Sequence, residues 1–116
     1  MRQAGLFRIM MPRRFGGFES DFRTEIETTR ELAKGCGSTA WAISLINTCS
    51  WMVGLADDRA QQDVWGENPD ARVAGTFAAA GSQSRRVRDG LIVSGRWGWC
   101  SGCLHADWGL IGFPIV

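Results

Sequence analysis

The residues best equipped for chemistry lie in one stretch, Val93-Ser94-Gly95-Arg96-Trp97-Gly98-Trp99-Cys100-Ser101-Gly102-Cys103, with His105 just beyond it. Two thiols three residues apart and an imidazole suggest a metal. Zinc, however, takes four such ligands, and one Cys pair with one His is an incomplete set with no second Cys/His pair to complete it. No metal site is therefore assigned. A thioredoxin-type dithiol sits at a helix start, and the residues around Cys100 do not read as one. The pair is taken as incidental. What remains is a hydroxyl, Ser101, beside the indoles of Trp97 and Trp99. Indoles offer wide, flat, apolar surface to a core, an interface or an aromatic ligand.

Other positions earn attention more weakly. Trp41 closes the run Gly35-Cys36-Gly37-Ser38-Thr39-Ala40-Trp41, and by spacing alone it reads as core. Trp65, Trp97 and Trp108 also read as core. Ser101 in isolation is a turn serine, and His105 beside Asp107 a structural histidine. Cys49 on an apolar helix reads as inert packing. Gly81-Ser82 has the look of a phosphate-cradling loop, but small residues of this kind usually mark a plain loop. Arg85, Arg86 and Arg88 read as a solvated face.

These residues need elements to hold them. Ser20 or Asp21 caps a helix on which Phe22, Ile26, Thr29 and Ala33 recur at helical spacing. Gly35 and Gly37 stop it. Ser38 or Thr39 caps a second helix, about Thr39 to Leu55, apolar on most sides and so suited to burial in a bundle. Asp57 or Asp58 caps a third through Trp65, ended by Gly66 and Pro69. The pattern then turns to strands: Arg72 to Phe77, and a hairpin of Ser84 to Arg88 with Leu91 to Ser94 about Asp89-Gly90. Trp97 to Cys100 continues the strand, Gly102 breaks it, and Trp108 to Val116 opens another.

Bulk properties narrow the function. The chain has 116 residues with 13 basic and 12 acidic side chains, a net charge of +1, so nothing points to nucleic acid or an anionic membrane. The longest apolar run, Ala40 to Leu55, is broken by Ser44, Asn47, Thr48 and Ser50 and is too short for a membrane span. No signal-like region follows Met1, so the cytoplasm is the expected location and the four Cys are expected as reduced thiols. The last run, Gly109 to Val116, reads as a strand cut short, and a few strands leave edges uncovered. The chain is expected to be a front portion of a larger protein.

Five pieces, Pro12 to Asp21 (PRRFGGFESD), Leu32 to Trp41 (LAKGCGSTAW), Ala60 to Pro69 (AQQDVWGENP), Arg72 to Phe77 (RVAGTF) and Ser94 to Trp108 (SGRWGWCSGCLHADW), come in the order seen in the acyl-CoA dehydrogenase fold. Within that fold the chain most resembles the two-component, group D flavin-dependent monooxygenases of the 4-hydroxyphenylacetate 3-hydroxylase and 3-HSA steroid hydroxylase type. The resemblance implies an α+β fold: an N-terminal helical bundle in residues 1–70, then the first strands of an antiparallel β-barrel-like middle domain in 71–116.

It also implies a site. Trp41, the segment Gly75, Thr76 and Phe77, and the segment Trp99, Cys100 and Ser101 match the family's flavin contacts. Ser101 matches a hydroxyl near flavin N5 and is the candidate catalytic residue. Cys49 stands where the hydroxylases carry a substrate-side His, which counts against a simple phenol as substrate. The implied cofactor is reduced FMN or FAD. The implied partners are O₂, an aromatic substrate, a separate flavin reductase and three further copies in a homotetramer. Two alternatives stay open. One is an FAD-dependent acyl-CoA dehydrogenase, whose segments read like Thr-Glu-Pro and Trp-Ile-Thr-Asn where this chain has Thr76-Phe77-Ala78 and Trp99-Cys100-Ser101-Gly102. The other is a truncated product inactive by itself.

Overall fold

The computed structural model of the chain describes residues 1–115. Three helices precede four short strands: α1 (Phe22–Gly35), α2 (Gly37–Gly54), α3 (Asp58–Trp65), β1 (Val73–Thr76), β2 (Gln83–Val87), β3 (Gly90–Ser94) and β4 (Trp108–Ile111). Single 3₁₀ turns form at Arg13–Phe15 and Cys103–His105. The α+β order is the expected one. The last residue of the expected final strand, Val116, lies outside the described residues.

Two helices start as their caps predict. The Asp21 carboxylate accepts from the Thr24 N–H at 2.8 Å, and that of Asp57 from the Ala60 N–H at 2.9 Å, satisfying donors that have no intrahelical partner. The middle helix differs. α2 begins at Gly37 with Cys36 as its N-cap and no side-chain cap; Ser38 and Thr39 lie inside its first turn, and the Thr39 hydroxyl donates back to Cys36 Sγ at 3.2 Å.

The expected apolar stripe of α1 is not its buried face. Ile26 is exposed, and Phe22 packs edge-on against Trp51 with centroids 4.9 Å apart. Glu25 is buried instead, and the Thr29 hydroxyl donates to its carboxylate at 2.9 Å. Pairing Phe22 with Trp51 turns the polar Glu25–Thr29 ridge inward, and the hydrogen bond makes that burial tolerable.

α2 is the spine. Ala40, Ile43, Ile46, Asn47, Cys49, Ser50 and Val53 are buried along it. Its polar interruptions are self-satisfied: Ser50 Oγ donates to the Ile46 carbonyl at 2.9 Å and Thr48 Oγ1 to that of Ser44 at 3.0 Å. The Asn47 amide donates to the Leu6 and Ile43 carbonyls and accepts from the Met10 N–H, stitching the first residues onto the helix. The core joins Met11, Cys49, Val53, Val64, Trp65, Ala71 and Val73, with Phe15 and Leu110 packed against it.

β1, buried along its whole length, pairs in parallel with β4 from Val73↔Trp108 to Thr76↔Ile111. β2 and β3 form the expected antiparallel hairpin, but Val87 pairs with Gly90, so Arg88 and Asp89 make the turn. Neither takes a positive φ, so the turn is not of the primed type common in two-residue hairpins, and it sits one residue earlier than Asp89-Gly90. Among the described residues the strands form two separate pairs and no closed barrel. The extended run ends at Ser94 and does not continue through Cys100. Trp99 sits at φ 60°, which breaks a strand.

Candidate functional site

The end of β1 is anchored on three sides. Behind it lies α2: a Cβ built on Gly75 would fall 2.6 Å from Cys49 Sγ, 3.2 Å from Phe77 Cζ and 3.3 Å from the Leu110 carbonyl. The glycine lets the strand press against the helix, so the approach it permits is that of Cys49. On a second side Thr76 Oγ1 donates to the Gly98 carbonyl at 2.9 Å, and on a third the Thr76 carbonyl accepts from the Gly112 N–H at 2.9 Å. Trp97 Nε1 donates to the Gly112 carbonyl at 2.6 Å and closes the bracket.

The loop beyond Gly98 is held by its own backbone. The Ser101 N–H donates to the Trp99 carbonyl at 3.0 Å, the Cys103 N–H to that of Cys100 at 3.1 Å, and the His105 N–H to that of Gly102 at 2.9 Å. Gly102 adopts φ 85°, and a Cβ there would meet Ile46 Cδ1 at 3.1 Å, so the loop lies directly on α2. From the first turns of that helix Trp41 Nε1 donates to Ser101 Oγ at 3.2 Å. Trp41 is 61% exposed and Trp99 96% exposed.

Residues spread over sixty positions of sequence thus converge. Trp41 and Ser101 touch, Thr76 grips the loop one residue before Trp99, and Cys49 backs Gly75. Phe77 is half exposed with its ring folded toward Gly75. Trp65 is core as expected, Trp97 is half-buried, and Trp108 is 45% exposed on β4. The His105 side chain is exposed, and the residue is held by its backbone, its carbonyl accepting from an Arg72 guanidinium N–H at 3.2 Å.

The Ser101 oxygen spends one lone pair on Trp41, which leaves its O–H to donate outward. Cys49 has a different character. It is 2% exposed, and burial, followed by the nearby Cys100, pushes its thiol up to about 11. It is neutral at pH 7 and cannot take a proton in place of a histidine. The sign is that of a raised acid: stability is full below the ordinary thiol range near 9 and is lost as pH climbs toward 11, where the unfolded chain ionises first. In a titration of unfolding free energy, Cys49→Ala is expected to remove an alkaline loss on the order of 2 kcal/mol. A loss of equal size in the variant would show that another group is responsible.

Sequence reasoning missed a cleft of about 490 Å³ beside the loop, whose lining includes Ser38, Thr39, Ile43, Ile46, Arg72 and His105. Arg72 is its organiser. Its guanidinium lies 4.5 Å from the Phe7 ring centroid, and its backbone N–H donates to Asp107 at 2.9 Å. The helical spacing of Thr39, Ile43 and Ile46 was a readable signal for one wall. Nothing local announced that Arg72 would stand opposite.

The model of the acyl-CoA dehydrogenase N-terminal domain matches residues 1–67. The oxygenase subunit HsaA of a flavin-dependent monooxygenase from Mycobacterium tuberculosis is 40% identical over 112 residues, 97% of this chain and 28% of that protein. The crystal structure of 3-HSA hydroxylase from Rhodococcus sp. RHA1 superposes with a TM-score of 0.94 at 36% identity, covering 99% of this chain and 30% of that one. XiaF from Streptomyces sp., solved with FADH2 and glycerol, gives 0.86 at 28% identity over 97% of this chain and 30% of its own. The chain spans less than a third of the length of these relatives. With more than half of its residues matched by the family's model, the chain belongs to the acyl-CoA dehydrogenase family through its N-terminal domain.

Proposed function

We propose that this chain forms the front of the oxygenase component of a two-component flavin-dependent monooxygenase, which hydroxylates an aromatic or polycyclic small molecule. The observation that carries the reading is the Ser101 hydroxyl, held at 3.2 Å by the exposed indole of Trp41, with the exposed indole of Trp99 two residues before it on the same loop. A flat ring system with one polar edge calls for such residue types: apolar faces to lie against and a fixed donor nearby. The residues fit flavin, and relatives named for flavin-dependent monooxygenation and solved with FADH2 support the same reading.

Reduced FMN or FAD would supply the electrons that activate O₂ for transfer of one oxygen atom to the substrate. Trp41 and Trp99 would wall the ring and exclude water. Backbone groups of Gly75, Thr76, Phe77, Trp99 and Cys100 would meet its polar edge, and the Ser101 O–H would donate there. Cys49, behind Gly75, would shape the substrate side as a neutral wall. We place residues 1–70 in the helical domain and 71–116 in the middle β-domain. The protein would work in the cytoplasm as a homotetramer, supplied with reduced flavin by a separate reductase.

Ser101→Ala in the whole protein is expected to lower the fraction of reduced flavin coupled to product by roughly tenfold or more, the electrons appearing as hydrogen peroxide. Trp41→Phe keeps a ring but frees Ser101, and should move coupling the same way by less. Unchanged coupling and flavin affinity in Ser101→Ala would remove the assignment. The family match also admits an acyl-CoA dehydrogenase; bleaching of bound oxidised flavin by an acyl-CoA would favour that reading.

A further inference from the structure

We infer that Cys100 and Cys103 are a reversible oxidation site, forming a disulfide across the turn that carries Ser101. The two residues occupy the first and last positions of a β-turn, closed by the Cys103 N–H donating to the Cys100 carbonyl at 3.1 Å, with Ser101 and Gly102 between them. The ends of such a turn lie within about 7 Å, Cα to Cα, and a disulfide spans about 4.4–6.8 Å. The Gly102 φ of 85° gives the tight reversal that brings the ends together. Both thiols are free.

Their exposures differ in the useful sense. Cys103 is exposed and meets an oxidant first; Cys100 is half-buried and waits beside it. The pKa of Cys100 is raised by burial and then by Cys103, which fits a resolving thiol better than an attacking one. Among the described residues no group of three His, Cys, Asp or Glu is arranged to hold a metal that would mask the pair.

The oxidant is hydrogen peroxide, which a flavin oxygenase releases when oxygen transfer fails; this source and the coupling to flavin rest on the proposed function. The Cys103 thiolate attacks one peroxide oxygen. An S–O bond forms, the O–O bond breaks, and the leaving hydroxide takes a proton to become water. The Cys100 sulfur then attacks that sulfenic sulfur. The S–S bond forms, the S–O bond breaks, and the Cys100 proton leaves with the departing oxygen as a second water. Two thiols lose two electrons and two protons, and one peroxide becomes two waters. The closed ring clamps the residue whose hydroxyl Trp41 holds, so oxidation alters the same site that produced the peroxide.

The test uses the whole protein in a Cys36→Ser background, because Cys36 is exposed and its pKa is lowered by the Thr39 hydroxyl and nearby backbone N–H groups. Trypsin separates the candidates cleanly. The peptide that begins at Trp97 carries Cys100 and Cys103, while position 36 and Cys49 share the peptide Gly35 to Arg59. After graded hydrogen peroxide, the Trp97 peptide is expected to lose two hydrogens, to regain them with dithiothreitol, and to stay unlinked in Cys103→Ser. Flavin affinity is expected to fall several-fold on oxidation and to recover on reduction. A Cys49–Cys100 link, an intermolecular link or irreversible over-oxidation would overturn the assignment. A Cys100–Cys103 bond with unchanged flavin affinity would overturn the coupling to the site. Failure of the reduced protein to bind flavin would instead count against the monooxygenase reading, with the peptide mapping still deciding the oxidation site.

Discussion

Trp65→Ala is expected to cost about 3–5 kcal/mol of folding free energy, the largest single-residue effect in this chain. The indole is fully buried, its Nε1 donates to the Ala71 carbonyl at 3.2 Å, and its ring lies 5.5 Å from that of Phe15. Truncation would open a cavity where α3, the Arg13–Phe15 turn and the lead-in to β1 meet, and would strip the Ala71 carbonyl of its donor. Trp65→Phe keeps most of the volume and loses the hydrogen bond, so its cost should be nearer 1–2 kcal/mol, about that of one buried bond. Urea unfolding of both variants measures the difference. Equal midpoints for Ala and Phe would mean that the site collapses freely and that the indole is not the pin it looks to be. The effect reaches the candidate site because Ala71 leads into Val73, and β1 holds Thr76 against the loop.

Gly75→Ala is the second large effect. The new methyl would stand 2.6 Å from Cys49 Sγ with the Leu110 carbonyl at 3.3 Å on another side, so the strand cannot simply slide away. Overpacking of this kind costs about 1–3 kcal/mol, net of a gain of up to about 1 kcal/mol from a stiffer unfolded chain. Adding Cys49→Ala removes the clashing sulfur, so the double variant should be more stable than Gly75→Ala alone, a coupling of opposite sign to ordinary additive loss. The family resemblance implies a different role for this glycine, a contact with flavin. That role predicts lost flavin binding with unaltered stability and no rescue by Cys49→Ala. The cycle separates the two, with denaturation and flavin titration run on the same four proteins.

Much was legible without coordinates. The caps at Asp21 and Asp57, the apolar α2, the stop at Gly66 and the hairpin near Asp89 all follow from short-range rules, because caps, turns and helix periods depend on neighbours in the chain. The run holding Trp99 and Ser101 could be singled out because its side-chain types are rare together. Its strand assignment failed at Trp99, where hydrogen bonds to residues far away in the chain hold a conformation that local propensity does not favour.

By itself, then, the sequence determined the kinds and order of elements and the chemical types at the candidate site: indoles, two hydroxyls and three thiols. The tertiary structure decided which of them meet. Trp41 reaches Ser101 only because Gly102 lets the loop rest on Ile46 of α2, and Cys49 lies under β1 only because Gly75 leaves room for its sulfur. It also decided that α1 turns Glu25 inward and leaves Ile26 out. Such contacts join positions up to sixty residues apart and rest on a few ångströms of steric clearance. A local pattern carries no record of them, because they are properties of the packed surface between elements.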